Sequence, residues 1–247
     1  YVGLPLALSV VNAGFRTWGV DIDPDRVASL RSGSSYVVDV SSADLSKARE
    51  TGLFEPTTDF SVLADSDVII ICVPTPLRKS RDPDVSHIAS AVAEIKRRLH
   101  KELLIILEST TYPGTTEELI AQEVERMGFK VGRDVFVCFS PERVDPGNKV
   151  HKTNNTPKVI GGVTADCGAV GDFFYRQVLE TVVQVSTAKA AEMVKLLENT
   201  FRAVNIGLVN ELALLCERLE IDIWEVIDAA ATKPFGFMSF YPGPGLG

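Results

Sequence analysis

The sequence contains no apolar run long enough to cross a bilayer; its longest candidates, such as residues 68–73, have the length of a buried strand. Its start, Tyr1-Val2-Gly3-Leu4-Pro5, lacks a charged segment ahead of an apolar one, so no signal peptide is expected there. Cysteine is scarce. Cys72, Cys138, Cys167 and Cys216 show no CxxC spacing, and three of them lie in apolar strand or helix contexts. Buried, reduced thiols in a reducing cytoplasm are expected, with no metal site. A basic excess is also missing: 33 acidic residues face 25 basic ones, for a net charge of −8. That balance argues against a nucleic-acid partner, which would need a clustered basic face. The cluster Arg78-Lys79-Ser80-Arg81 is short and falls in a loop. No repeats or low-complexity stretches occur.

What is present is an alternation. The chain has 247 residues, 45% of them hydrophobic, enough for one large domain and part of a second. Short β-branched runs predict strands at 17–20, 68–73, 103–107, 135–139, 158–160 and 182–185. Between them the pattern predicts helices at 4–13, 24–31, 85–99, 115–127 and 165–179. Pro24 after Asp23 suits a first helical turn, and Glu117-Glu118 puts acid near a helix start. Strands and helices in alternation predict an α/β fold, a parallel sheet covered by helices. At Ser186 the character changes. Apolar residues recur at Met193, Leu197, Phe201, Val204, Leu208, Leu212, Leu215 and Leu219, in steps of three and four. They describe one long amphipathic helix over 187–219, roughly 50 Å at 1.5 Å per residue. It reads as a spine into a second, helical domain, continued by 223–230, and such spines often serve as dimer surfaces. The expected domains are therefore 1–186 and 187–247.

Three features carry chemistry. Gly3 stands just ahead of a helix-like stretch, and Asp21, eighteen residues on, closes the next strand. That spacing suits the last glycine of a dinucleotide fingerprint and its ribose-binding acid, with the pyrophosphate on the helix N-terminus at Val2, Gly3 and Leu4. A carboxylate there favours NAD, because it repels a 2′-phosphate. A plain glycine turn with Asp21 merely ending a strand suits the same residues, and position alone leaves both open. Next, polar loops follow three strands: Val73-Pro74-Thr75-Pro76, Glu108-Ser109-Thr110-Thr111-Tyr112-Pro113-Gly114, and Ser140-Pro141-Glu142-Arg143-Val144-Asp145-Pro146-Gly147. Each alone is an ordinary turn; together they load one sheet edge, where open α/β sheets bind ligands. Finally, Lys195 and Asn199 share a helix face away from the apolar stripe, with Arg202 beyond. A solvated face explains them, as does stabilisation of an oxyanion.

In joint order and spacing these pieces resemble the UDP-glucose/GDP-mannose dehydrogenase family, along essentially the whole chain. The matching segments are Tyr1-Val2-Gly3-Leu4-Pro5, Gly19-Val20-Asp21-Ile22-Asp23, Val73-Pro74-Thr75-Pro76 and Glu108-Ser109-Thr110. Further on come Ser140-Pro141-Glu142-Arg143 with Asp145-Pro146-Gly147, then Ala191-Glu192-Met193-Val194-Lys195-Leu196 with Asn199, and Tyr241-Pro242-Gly243-Pro244-Gly245. The resemblance implies a Rossmann-like doubly wound domain, a spine helix and a partial helical central domain. It also implies a four-electron oxidation of a sugar C6 alcohol to a carboxylate with two NAD⁺, by way of an aldehyde and a cysteine thioester. Carried over residue by residue, Lys195 and Asn199 would stabilise the oxyanion and order the catalytic water. Glu142 would assist proton transfer and Thr110 would help place the water. The cofactor would lie along Val2, Gly3, Asp21, Arg26, Val73, Pro74, Thr75, Pro76, Ser109 and Thr110. The nucleotide sugar would meet Glu142, Arg143, Val144, Asp145, Lys195, Asn199, Tyr241, Gly243 and Gly245.

Two departures bear on the resemblance. The family's nucleophilic cysteine follows the glycine-rich turn at which this chain stops, and none of the four cysteines takes its place. The first strand, the first two fingerprint glycines and a C-terminal nucleotide-binding domain are absent as well, so a fragment cut at both ends is expected, unable to complete the oxidation. Arg143 after the loop glutamate, with Ser109–Gly114 and Lys233-Pro234-Phe235-Gly236-Phe237-Met238, resembles the bacterial enzymes of UDP-N-acetylhexosamines, UDP-N-acetylglucosamine ahead of UDP-N-acetylmannosamine. Their products enter polysaccharide synthesis, and a cytoplasmic homodimer or higher homo-oligomer is expected, with no membrane partner. Two rivals stand beside this: a two-electron β-hydroxyacid dehydrogenase, and a non-catalytic dinucleotide-binding module.

Overall fold

The computed structural model describes residues 2–79, 82–143 and 155–244. They fall into two compact units, Tyr1–Met193 and Val194–Gly247.

The first unit is α/β. Helix α1 (Gly3–Asn12) leads to β1 (Thr17–Val20), α2 (Pro24–Arg31), α3 (Ser42–Glu50) and β2 (Phe54–Thr57). Strands β1 and β2 pair in parallel, Thr17 opposite Phe54. Leu4, Leu8 and Val11 of α1 pack with Leu30, Leu45 and Phe54 into a core beside this small sheet. Helix α2 starts where it does because the Asp23 carboxylate accepts the N–H groups of Asp25 and Arg26, at 2.9 and 3.3 Å, with Pro24 preset in the first turn.

The larger sheet orders β3 (Val68–Ile71), β4 (Leu103–Leu107), β5 (Val135–Phe139), β6 (Lys158–Gly162) and β7 (Val182–Val185) side by side. Helices α4 (Ser86–Lys96), α5 (Gln122–Arg126) and α6 (Ala165–Val178) connect them. Strand β4 runs between β3 and β5, and all five of its residues are buried. That is why it reads as an unbroken Leu-Leu-Ile-Ile-Leu rather than an alternation. The sheet is parallel except at one pairing: β6 runs antiparallel to β5, with Cys138 opposite Gly162. A parallel sheet was the sequence expectation, and it holds but for this pairing, because a run of buried residues carries no sign of direction. The reversal has a consequence for function. It brings the first residue of β6, Lys158, to the edge where β3, β4 and β5 end.

Two further departures are local. Helix α3 and strand β2 occupy stretches for which the pattern predicts neither. The single helix expected over 115–127 opens with a π-helical turn, Glu117–Ala121, before α5. The close of the unit is tight: any side chain at Gly161 would run into the carbonyl of Thr187, just ahead of the long helix α7 (Ala188–Arg218).

In the second unit, the remainder of α7 is followed by α8 (Ile223–Ala231), capped by the Asp222 carboxylate on the Trp224 N–H at 2.9 Å. At 31 residues α7 spans about 47 Å. Its apolar stripe is exposed: Leu197 is 65% accessible, and Phe201, Val204, Leu208, Leu212 and Leu215 are exposed with it. Among the described residues no helix is long and apolar enough to cross a membrane.

Candidate functional site

The polar loops at the carboxyl ends of β3 and β4 are laced together. Ser109 Oγ donates to the Val73 carbonyl at 2.6 Å, and Thr75 Oγ1 donates to the Thr110 carbonyl at 2.7 Å. Four of the residues expected along a cofactor path thus hold one another, with Pro74 and Pro76 limiting the backbone between them. The start of α1 stands beside this pair of loops: a Cβ at Gly3 would lie 3.5 Å from that of Cys72, just after β3. No side chain caps α1 at Val2, so its first N–H groups suit an external anion such as a pyrophosphate. At the end of β1, Asp21 accepts the Asp23 N–H at 2.9 Å and faces the Arg26 guanidinium at 3.5 Å. Arg26 also lies over the Tyr36 ring, 5.7 Å from its centroid. Burial and then the Asp21 carboxylate push the Tyr36 phenol upward. An uncapped helix start and a partly exposed carboxylate at the next strand end fit a dinucleotide.

A buried ionic cluster fills the neighbouring part of the edge. Lys158, 4% exposed, donates to Glu108 at 2.9 Å and reaches Glu142 at 3.5 Å. Glu108, 2% exposed, also accepts the Tyr175 hydroxyl from α6. Burial raises the Glu108 carboxyl, with Lys158 opposing it. Burial likewise weakens the charge on Lys158, but Glu108 and then Glu142 outweigh it and hold the ammonium above the ordinary lysine range. Glu142 accepts the Arg143 N–H at 2.8 Å, and the Arg143 guanidinium donates to the Pro157 carbonyl at 2.8 Å. Val144, Asp145 and Gly245 lie outside the described residues.

A third group clamps the loop after β4. Glu192, 1% exposed on α7, accepts the N–H of Gly114 at 2.6 Å and both the N–H and hydroxyl of Thr116, at 2.9 and 2.7 Å. Gly114 sits at φ +104°, where a side chain would be strained. The carboxylate acts as an N-cap supplied from a distant helix, serving N–H groups that have no intrahelical partner.

In the second unit, Asn199 accepts from Arg202 at 2.8 Å, and Lys195 lies one helical turn before it on α7. Tyr241 stacks on Trp224 at 5.5 Å and donates its hydroxyl to Asp228 at 2.9 Å, which pushes the phenol upward. Gly243 is held at both ends of its peptide by one amide: Asn210 donates to its carbonyl at 2.8 Å and accepts its N–H at 3.0 Å. Burial pushes the Cys72 and Cys138 thiols far upward, against any thiolate role.

Sequence reasoning missed Lys158, Tyr175 and Asn210, and named Glu108 and Glu192 only as parts of motifs. A signal existed for two of them. Glu108 follows a wholly apolar strand and Lys158 opens a wholly buried one, and charges so placed require partners.

Residues 1–179 match the model of the UDP-glucose/GDP-mannose dehydrogenase family NAD-binding domain, and residues 189–247 match that family's central domain. The chain belongs to the UDP-glucose/GDP-mannose dehydrogenase family. It is 38% identical over 246 residues to UDP-N-acetyl-D-glucosamine 6-dehydrogenase of Pseudomonas aeruginosa, an alignment covering 98% of this chain and 57% of that protein. It is 34% identical over 248 residues to UDP-N-acetyl-D-mannosamine dehydrogenase of Pyrococcus horikoshii, covering all of this chain and 59% of the relative. The solved UDP-D-ManNAc dehydrogenase structure from that organism superposes with a TM-score of 0.93 over 98% of this chain and 58% of its own, at 34% identity. The chain thus spans under three fifths of the length of these family members.

Proposed function

We propose that the whole protein is an NAD-dependent dehydrogenase that oxidises the C6 alcohol of a UDP-N-acetylhexosamine to the uronate. The observation that carries this reading is the assembly at one sheet edge: the laced Val73–Thr75 and Ser109–Thr110 loops, beside the Lys158-bound Glu142 carboxylate, in a chain whose relatives are named for UDP-N-acetylhexosamine oxidation.

The cofactor supplies the hydride acceptor. In this reading Val2 and Gly3 offer backbone N–H groups to its pyrophosphate, and Asp21 with Arg26 holds the adenosine ribose. The Val73-to-Pro76 loop, Ser109 and Thr110 line its path. Glu142 Oε2 takes or returns a proton at the reacting carbon's oxygen or water, and Thr110 helps to hold that water. Lys195 and Asn199 stabilise negative charge on the oxygen. Arg143, Val144, Asp145, Tyr241, Gly243 and Gly245 contact the nucleotide sugar. Tyr241 suits this as a ring held by Trp224 and oriented by Asp228, and Gly243 as a turn whose backbone Asn210 already fixes. Four free thiols suit a reducing cytoplasm, and the exposed stripe of α7 suits self-association.

The test is stoichiometry. With the whole protein and NAD⁺, UDP-N-acetylglucosamine or UDP-N-acetylmannosamine should yield two NADH per sugar consumed. One NADH per substrate would establish a two-electron enzyme instead, and NAD binding without turnover a non-catalytic module. Light scattering on the same sample should give at least twice the single-chain mass.

A further inference from the structure

We infer that Lys158, locked by Glu108 and Tyr175, is the positioning residue for the Glu142 carboxylate. The inference rests on the reading of Glu142 given above and gives Lys158, which has no role in the chemistry stated there, one of its own.

A fully buried ammonium is a poor structural choice. Desolvating it costs more than a hydrophobic residue of the same volume would, and buried pairs of this kind are seldom kept for stability alone. The geometry shows what it holds. Lys158 Nζ bridges two carboxylates, Glu108 at 2.9 Å and Glu142 at 3.5 Å. Glu108 is committed on both oxygens, one to Lys158 and the other to the Tyr175 hydroxyl. The Tyr175 ring lies 5.7 Å from the ammonium and closes the side facing α6. Lys158 therefore has one rigid anchor, and its remaining reach goes to Glu142.

Glu108 has no side-chain exposure, whereas the Glu142 side chain is 14% exposed. Of the two carboxylates that Lys158 holds, Glu142 is the one open to solvent and ligand. Its other oxygen accepts the Arg143 N–H, so the carboxylate is oriented from both ends. Among the described residues, the groups facing Lys158 are Glu108 after β4, Glu142 after β5, Tyr175 from α6 and Cys72 after β3. The Tyr175 phenol and Cys72 thiol are pushed well up and stay neutral. Lys158 itself stays protonated across the neutral range. It can donate and orient but cannot serve as the base.

A double-variant cycle in the whole protein tests this, with NAD⁺ and the UDP-sugar it turns over. K158M should lower kcat about 100-fold, in the range of a lost acid–base contribution. KM for both substrates should stay within about threefold of wild type. K158R, which keeps a cation beside Glu142, should restore most of the rate. K158M alone leaves Glu108 buried without a counter-charge, so its Tm should fall. E108Q/K158M removes both buried charges and should regain Tm but not kcat. Should K158M fail to fold, the double variant carries the test. A double variant that recovers kcat along with Tm would make the pair purely structural and overturn the inference, as would a K158M whose loss lies in KM with kcat unchanged. Failure of the wild type to reduce NAD⁺ with any UDP-sugar would instead overturn the functional reading beneath it.

Discussion

At the end of β1, Arg26 meets Asp21 at 3.5 Å with both side chains partly in solvent; at the ends of β4 and β6, Lys158 meets Glu108 at 2.9 Å with both out of water. The charges are alike and the settings are not. Water screens the Asp21 pair, so it contributes little to stability and its carboxylate keeps lone pairs free for a ligand's hydroxyls. The Glu108 pair is desolvated, its partners have no alternative, and its geometry is rigid. One end of the edge is open to bind, and the other is closed to orient.

The comparison can be broken at the buried end first. Glu108→Leu would leave Lys158 facing Glu142 alone and the Tyr175 hydroxyl without its acceptor. Urea denaturation should show a loss of about 3–5 kcal/mol. Alkali gives the matching sign. Lys158 lies above the ordinary value of 10.5 in the folded protein, so its contribution is complete below pH 10.5 and is lost as pH rises through the folded value. Wild-type stability should therefore fall in that window more steeply than that of K158M. A smaller effect is expected at Glu192. Glu192→Leu strips acceptors from the Gly114 and Thr116 N–H groups, and a loss of about 2–3 kcal/mol should appear in the same denaturation. Protection of both amides in hydrogen exchange should drop. Smallest in stability is Asp21→Asn, which should shift the unfolding free energy by no more than about 0.5 kcal/mol. Its effect belongs to binding: NAD affinity of the whole protein should weaken about tenfold by calorimetry. A large stability loss with unchanged affinity would erase the contrast between the two ends.

Much of the fold was legible. Strands β1, β4, β5 and β7 and helix α2 occupy the residues that their apolar runs and caps predict. Strand β2 was not legible because Phe54-Glu55-Pro56-Thr57 carries a charge and a proline, tolerable in a short two-stranded sheet but poor as a pattern. Helix α3 was missed because Ser-Ala-Asp-Leu-Ser-Lys-Ala-Arg-Glu is polar almost throughout, with only Leu45 and Ala48 buried. At the edge, the polar loops and the Asp21 spacing stood out because each is local. The partners did not. Lys158 is 50 residues from Glu108, Tyr175 is 67 from it, and Glu192 is 76 from Thr116.

From the sequence alone came the elements, the loops that carry the polar groups, and the family to which their order and spacing belong. These follow from periodicity, caps and strand-end spacing, which act over a few residues at a time. Tertiary structure alone decided which charges meet. The antiparallel turn of β6 puts Lys158 at the carboxyl edge, where a parallel strand would have put it at the opposite one, and burial then couples it to Glu108 and Glu142. Strand direction and long-range pairing are set by how the whole chain packs, and no local pattern encodes them.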